Sequence, residues 1–178
     1  MRDFWVFGYG SLMWNPGFAV AERRGAVLHG LHRALCVHSW VHRGTQEEPG
    51  LVLGLDRGGS CRGLAMRVGG TERDAVIDYL RGRELVTNVY FETWRPVRLD
   101  SGERVEALTY VVDPAHRQYA GRLSDEEIAA IVRRGNGRSG RNADYVLSTL
   151  AHLREQGIFD AHLEAIGRLL GADVAASG

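Results

Sequence analysis

The chain contains no lysine. All 22 of its basic residues are arginine, they face 22 acidic residues, and the formal net charge is zero. A GC-rich coding sequence is the ordinary cause of such a bias, and what it excludes holds whatever the cause. No lysine nucleophile or Schiff base is available. No phosphate loop of the G-x-x-x-x-G-K-[ST] type can form. The absence of a basic excess speaks against a nucleic-acid binder. Proline is scarce at 4 residues and cysteine scarcer at 2. Cys36 and Cys61 both sit in apolar stretches and read as small buried hydrophobes in a reducing compartment. No apolar run approaches the roughly 18 residues of a membrane span. Nothing after Met1-Arg2-Asp3-Phe4-Trp5 has the apolar stretch of a signal peptide, so a cytoplasmic protein is expected.

What is present is ordinary globular composition, with 44% hydrophobic and 25% charged residues over 178 positions. That length suits a single domain spanning 1–178. Glycine is plentiful at 23 residues and spread along the chain, which signals many turns. The first two-thirds reads as strand and turn. Strands are expected at 4–9 and 26–40. A hairpin is expected at 51–55 and 61–68 about Asp56-Arg57-Gly58-Gly59-Ser60. A second is expected at 89–99 and 104–112 about Asp100-Ser101-Gly102-Glu103. One helix starts at Thr71, whose hydroxyl is placed to cap the Asp74 amide, and frays near Gly82.

The last third is helical. Ser124-Asp125-Glu126-Glu127 matches a capping box, with Ile128, Ile131 and Val132 behind it. After a glycine-rich loop with Gly135, Gly137 and Gly140, which is the natural place for a lid, Asn142 opens a helix striped by Val146, Leu150 and Leu153. A third helix begins near Asp160 with Leu163, Ile166 and Leu170, and the tail 173–178 is expected to be disordered. The layout is α+β, with curled antiparallel strands and helices gathered to one side.

Four groups of residues are candidates for chemistry. Phe7-Gly8-Tyr9-Gly10-Ser11-Leu12 fails as a dinucleotide fingerprint because Met13 stands where glycine is needed, and fails as a nucleophile elbow for want of glycine at 9 and 13. It is either an ordinary glycine turn or a loop whose amides cradle a carboxylate or an oxyanion. Glu84 shares a helical face with Ile77 and Leu80 if the helix reaches that far. Burial and the helix C-terminus would then raise its pKa towards general-base work. If the helix stops at Gly82, Glu84 merely pairs with an arginine.

His32, Cys36, His38 and His42 share strand parity, but steps of two along a strand are roughly 7 Å long, so packed or surface histidines are favoured over a metal site. Asn142 reads as a helix cap, and Tyr145, off the apolar stripe, as a phenol beside the glycine loop. A Ser-His-acid triad using Ser11 finds no support in spacing.

These residues also carry a family resemblance. Phe7-Gly8-Tyr9-Gly10-Ser11-Leu12 with Trp14-Asn15-Pro16-Gly17-Phe18 resembles the opening of the ChaC family of gamma-glutamylcyclotransferases, which act on glutathione. Arg43-Gly44-Thr45, Pro49 through Leu55, Gly59-Ser60-Cys61-Arg62-Gly63, Tyr79-Leu80, Arg83-Glu84, Gln118-Tyr119-Ala120-Gly121 and Asn142-Ala143-Asp144-Tyr145 follow in family order, over residues 4 to 170. The chain departs from the pattern at Gly140-Arg141-Asn142, where the family has Gly-Pro-Asn.

The resemblance implies a small twisted antiparallel β-barrel flanked by helices. It implies a reaction in which the α-amine of a γ-glutamyl group attacks its own γ-carbonyl, giving 5-oxoproline and cysteinylglycine. It carries the general base onto Glu84, the ligand loop onto Tyr9, Gly10, Ser11 and Leu12, and a pocket tyrosine onto Tyr145. With no lysine in the chain, a cation for a substrate carboxylate must be an arginine, and Arg43, which lies inside a matching motif, is the candidate. The expected partner is a small molecule, with no cofactor, metal, nucleic acid or membrane required. Alternatives are the same cyclisation on another γ-glutamyl amine or dipeptide, a non-catalytic small-molecule binding domain, and a zinc hydrolase built on the histidine stretch.

Overall fold

In a computed structural model, which describes residues 1–176, five long strands form a closed barrel in the order β1-β3-β2-β4-β5. They are β1 (Phe4–Gly8), β2 (Glu22–Ser39), β3 (Gly50–Val68), β4 (Tyr90–Leu99) and β5 (Arg104–Val112). β1 pairs antiparallel with β3, Phe4 opposite Val68 and Gly8 opposite Leu64. β4 pairs antiparallel with β2 and with β5. The ring closes through a parallel pair, β1 against β5, with Trp5 opposite Ala107. The expected antiparallel barrel thus carries one parallel seam, and that seam leaves no unpaired edge.

The chain divides into two compact units, Met1–Arg33 with Gly54–His116, and Ala34–Leu53 with Arg117–Gly178. In the first, helix α1 (Arg73–Glu84) buries Val76 and Leu80 among Phe4, Val6, Met66, Val68, Leu108 and Tyr110. Two short 3-10 turns, Ser11–Met13 and Gly70–Glu72, precede it. The second of them replaces the expected Thr71 cap. The helix starts behind Glu72, whose side chain makes no capping bond, because the chain enters already coiled. The 90–99 and 104–112 hairpin is as expected, with Gly102 at φ +90° in the turn.

The hairpin expected about residues 56–60 does not form. β3 runs unbroken from Gly50 to Val68, and Gly58 and Gly59 take φ values of +99° and +66° within it. Positive-φ glycines inside a paired strand bend it without reversing it.

The second unit holds α2 (Asp125–Arg134), α3 (Asn142–Glu155) and α4 (Ala161–Ala176). The capping box of α2 is present: the Glu127 amide donates to Ser124 Oγ at 3.1 Å, and the Ser124 amide donates to Glu127 Oε2 at 2.8 Å. Asp160 caps α4 by accepting from the Leu163 amide at 3.0 Å. The helices bury the stripes Ile128, Val132; Val146, Leu150, Leu153; and Leu163, Ile166, Leu170. Of the expected disordered tail, 173–178, the backbone through Ala176 belongs to α4 and residues 177–178 lie outside the described residues. No helix among the described residues is long and apolar enough to cross a membrane.

Candidate active site

Glu84 owes its position to where α1 ends. Gly82, the expected stopping point, is helical, and open space surrounds the position its Cβ would take, so nothing there forces a break. The helix continues to Glu84 and closes with the Leu85 amide donating to the Arg81 carbonyl at 3.0 Å. Glu84 therefore follows Val76 and Leu80 at steps of four, on the face that enters the barrel core. Its side chain is only 18% exposed. Burial pushes its pKa above the ordinary carboxylate value of 4.5, and the Arg83 guanidinium opposes that rise from 3.4 Å. No hydrogen bond reaches the Glu84 carboxylate among the described residues. A carboxylate that is shielded from water and lacks donors takes up a proton more readily than an ordinary one, which suits it to accept and return a proton.

The glycine loop that follows β1 is fastened from two sides. Arg33, 3% exposed in β2, donates from Nε to the Tyr9 carbonyl and from Nη2 to the Arg62 carbonyl, both at 2.6 Å. Arg83 donates from Nη2 to Ser11 Oγ at 2.9 Å and from Nη1 to the Asn15 carbonyl at 2.7 Å. Tyr9 and Leu12 are buried and Ser11 is exposed. Leu12 belongs to the barrel core with Phe4 and Leu80, so only its backbone is available to a ligand. Ser11 Oγ faces a guanidinium, which gives it no general base. Neither Arg33 nor Arg83 was among the sequence candidates. Nothing in the immediate sequence about either arginine marks it for that role.

Arg43 and Tyr145 lie in the second unit. The Arg43 guanidinium stands 5.5 Å over the Tyr145 ring, and its Nη1 donates to the Arg141 carbonyl at 3.2 Å. The Tyr145 hydroxyl accepts from the Leu53 amide at 3.1 Å. Asn142 is not the cap that its position suggests. The N-cap is Arg141, and the wholly buried Asn142 side chain brackets Leu51, with Oδ1 accepting from its amide at 2.7 Å and Nδ2 donating to its carbonyl at 2.8 Å.

The glycine-rich segment 135–140 is a small hairpin, β6 (Asn136–Gly137) and β7 (Gly140–Arg141). The Arg138 and Ser139 amides donate to the Val41 and His42 carbonyls at 2.8 and 2.9 Å. A Cβ at Gly44, Gly50, Gly135 or Gly137 would strike neighbouring backbone, so these four glycines permit direct main-chain packing in the segment suggested as a lid.

The histidine stretch does not assemble. His32 Nδ1 lies 3.0 Å from the Gly58 carbonyl, and His42 Nδ1 lies 2.8 Å from Ser139 Oγ. Among the described residues no three His, Cys, Asp or Glu side chains come together as metal ligands. Cys36 and Cys61 are buried thiols with no disulfide between them.

A closed five-strand barrel in a chain that also carries four helices defines the class of fold. The crystal structure of a yeast gamma-glutamyl cyclotransferase specific to glutathione superposes with a TM-score of 0.83 at 22% identity, covering 96% of this chain and 99% of that one. A ChaC-like protein family model matches residues 4–172, and the chain belongs to that family. It is 36% identical over 156 residues to the Escherichia coli (strain K12) glutathione-specific gamma-glutamylcyclotransferase, covering 88% of this chain and 68% of that protein. It is 33% identical over 177 residues to the Homo sapiens glutathione-specific gamma-glutamylcyclotransferase 1, covering 96% and 79%.

Proposed function

We propose that the protein is a lyase that cleaves glutathione to 5-oxoproline and cysteinylglycine, with Glu84 as the single general acid and base. The observation that carries this reading is a carboxylate on the core face of α1, raised by burial and free of hydrogen-bond donors, in the same unit as an arginine-fastened glycine loop. The α-ammonium of the γ-glutamyl group gives up a proton to become a nucleophile, and Glu84 supports accepting it. The amine nitrogen bonds to the γ-carbonyl carbon, and the carbonyl oxygen gathers negative charge, which amides of Gly10, Ser11 and Leu12 are suited to stabilise. The γ-amide C–N bond then breaks. The attacking nitrogen sheds a second proton as the lactam forms, and the departing amine takes up the two protons that the nucleophile loses, relayed in turn through Glu84, so protons balance over the cycle.

Because nucleophile and electrophile belong to one molecule, catalysis rests on holding a folded conformation. Arg43 and Tyr145 stand as proposed substrate contacts on the strength of the family resemblance. Two buried cysteines that form no disulfide support a reducing, cytoplasmic setting. Incubating the purified protein with reduced glutathione should yield 5-oxoproline and cysteinylglycine. No product across neutral and mildly alkaline pH overturns the assignment to glutathione, and a panel of other γ-glutamyl amines then tests the broader cyclotransferase reading.

A further inference from the structure

One side chain joins the glycine loop to the helix that carries Glu84, and the proposed reaction gives it no role. The Arg83 guanidinium spreads over four acceptors. Nη1 donates to the carbonyls of Asn15 at 2.7 Å and Pro16 at 3.4 Å and to the Tyr79 hydroxyl at 3.3 Å, and Nη2 donates to Ser11 Oγ at 2.9 Å. Tyr79, one turn earlier on α1, stacks edge-on against Phe18 at 6.4 Å. Its hydroxyl fills the space where a Cβ at Gly17 would go, and Gly17 holds φ +77°. Tyr79 and Arg83 thus meet the loop over most of the stretch from Ser11 to Phe18.

We infer that Arg83 is a positioning residue that clamps the 11–17 loop to the C-terminal end of α1, fixing the loop amides relative to the Glu84 carboxylate. This rests on the reading of loop and carboxylate as one reacting site. Two simpler roles are open to an arginine here. It can be a charge partner for Glu84, or a cation for a substrate carboxylate. The geometry favours the clamp, because two separate nitrogens are engaged by the loop while Nε, the nitrogen nearest Glu84, stays 3.4 Å from Oε1. A lysine keeps the charge but cannot hold acceptors on two nitrogens of a planar fork.

The charged and titratable groups about Glu84 are few. Arg83 lies on its own helix. Tyr110 of β5 feels the Glu84 charge, and its hydroxyl donates to Glu92 of β4, which Arg81 pairs. Changing Arg83 alone therefore changes both the clamp and the local field, and the lysine variant separates the two.

The test compares wild type, Arg83→Lys and Arg83→Gln by amide hydrogen exchange over residues 9–18, by NMR titration of the Glu84 carboxyl, and by kcat and KM for glutathione. Both variants should speed exchange in the loop by about tenfold while β4 and β5 exchange as before. Arg83→Lys should raise KM by about tenfold and leave the Glu84 titration near its wild-type midpoint. Arg83→Gln should raise that midpoint as well. If loop exchange stays at the wild-type rate in both variants, the clamp is wrong. If Arg83→Lys restores loop, KM and titration together, only the charge matters and the clamp is again wrong.

Wild type that leaves glutathione intact, beside variants with an opened loop, removes the activity reading and keeps the clamp. Wild type that turns over, beside variants with an unchanged loop, does the reverse. Should Arg83→Gln fail to fold, Arg83→Lys and Tyr79→Phe carry the comparison. The second removes one acceptor of the fork and should open the loop to a smaller extent, and unchanged exchange in both overturns the clamp.

Discussion

Glu84 and Glu92 are two carboxylates of the same unit with nearly equal side-chain exposure, 18% and 21%. Their proton affinities move in opposite directions. Glu92 receives Arg81 Nε and Nη2 at 2.9 Å each and the Tyr110 hydroxyl at 3.1 Å, and the Arg81 hydrogen bonds hold its pKa below the ordinary 4.5. Glu84 sits deeper among protein atoms, has one arginine at 3.4 Å and no donors, and is raised. Exposure alone does not distinguish a carboxylate whose proton affinity is lowered from one whose affinity is raised. What distinguishes them is whether donors replace the water that was lost.

The comparison breaks most visibly in turnover. Glu84→Gln should fold and lose activity by several orders of magnitude, about 10³-fold or more, since the proton has no acceptor. Glu92→Gln should stay within about tenfold of wild type, because Glu92 is engaged with Arg81 and Tyr110. Steady-state release of 5-oxoproline measures both. A Glu84→Gln variant of near-normal activity removes Glu84 from the role of base.

Stability should show the inverse order. Glu92→Gln gives up charge-assisted bonds from Arg81 and should cost about 1–2 kcal/mol at neutral pH. The pH dependence sharpens this. Glu92 has a depressed folded pKa, so its stabilisation is present above the unfolded value of about 4.5 and is lost as pH falls through the folded pKa. Glu84 has a raised folded pKa, so its contribution is present below about 4.5 and is lost as pH rises through the folded pKa. Thermal melts from about pH 4 to pH 8 should therefore diverge. Glu84→Gln should melt above wild type at the neutral end and converge with it in acid. Glu92→Gln should melt below wild type at the neutral end, and that gap should begin to narrow only as pH falls below about 4.5. Two variants that shift in the same direction at neutral pH would dissolve the contrast.

The contrast was half legible in the sequence. Glu84 stood out because steps of three and four put it on an apolar helix face, a local pattern that the helix then kept. Glu92 lies in a strand with Tyr90, Thr93 and Trp94, and nothing local shows that Arg81 and Tyr110 converge on it. The same limit hid the arginines that fasten the loop. Arg33 meets Tyr9 across 24 residues and Arg83 meets Ser11 across 72, and among 22 arginines neither is marked by its neighbours in sequence. Asn142 and the Gly58-Gly59 pair were misread for a related reason. A cap and a hairpin turn are the local preferences of those residues, but a pairing with Leu51 over 91 residues and a long paired strand overrode them.

The smallest expected effect is at Tyr110, which touches both sides of the comparison. Its ring is 1% exposed in the barrel core, its hydroxyl donates to Glu92, and burial first, then the charges of Glu92 and Glu84, push its phenol pKa above the ordinary 10. The phenol therefore stays protonated as a donor across the range in which the enzyme is expected to work. Tyr110→Phe keeps the ring and leaves Glu92 with both Arg81 bonds, so it should cost about 1 kcal/mol in thermal or denaturant unfolding. Turnover should stay within about twofold of wild type, since the hydroxyl points at Glu92 and the field at Glu84 is set by burial and Arg83. A large loss of kcat in Tyr110→Phe with normal stability would place the phenol in the proton path of Glu84. The two carboxylates would then be one coupled system, and the division between a structural and a reactive glutamate would fail.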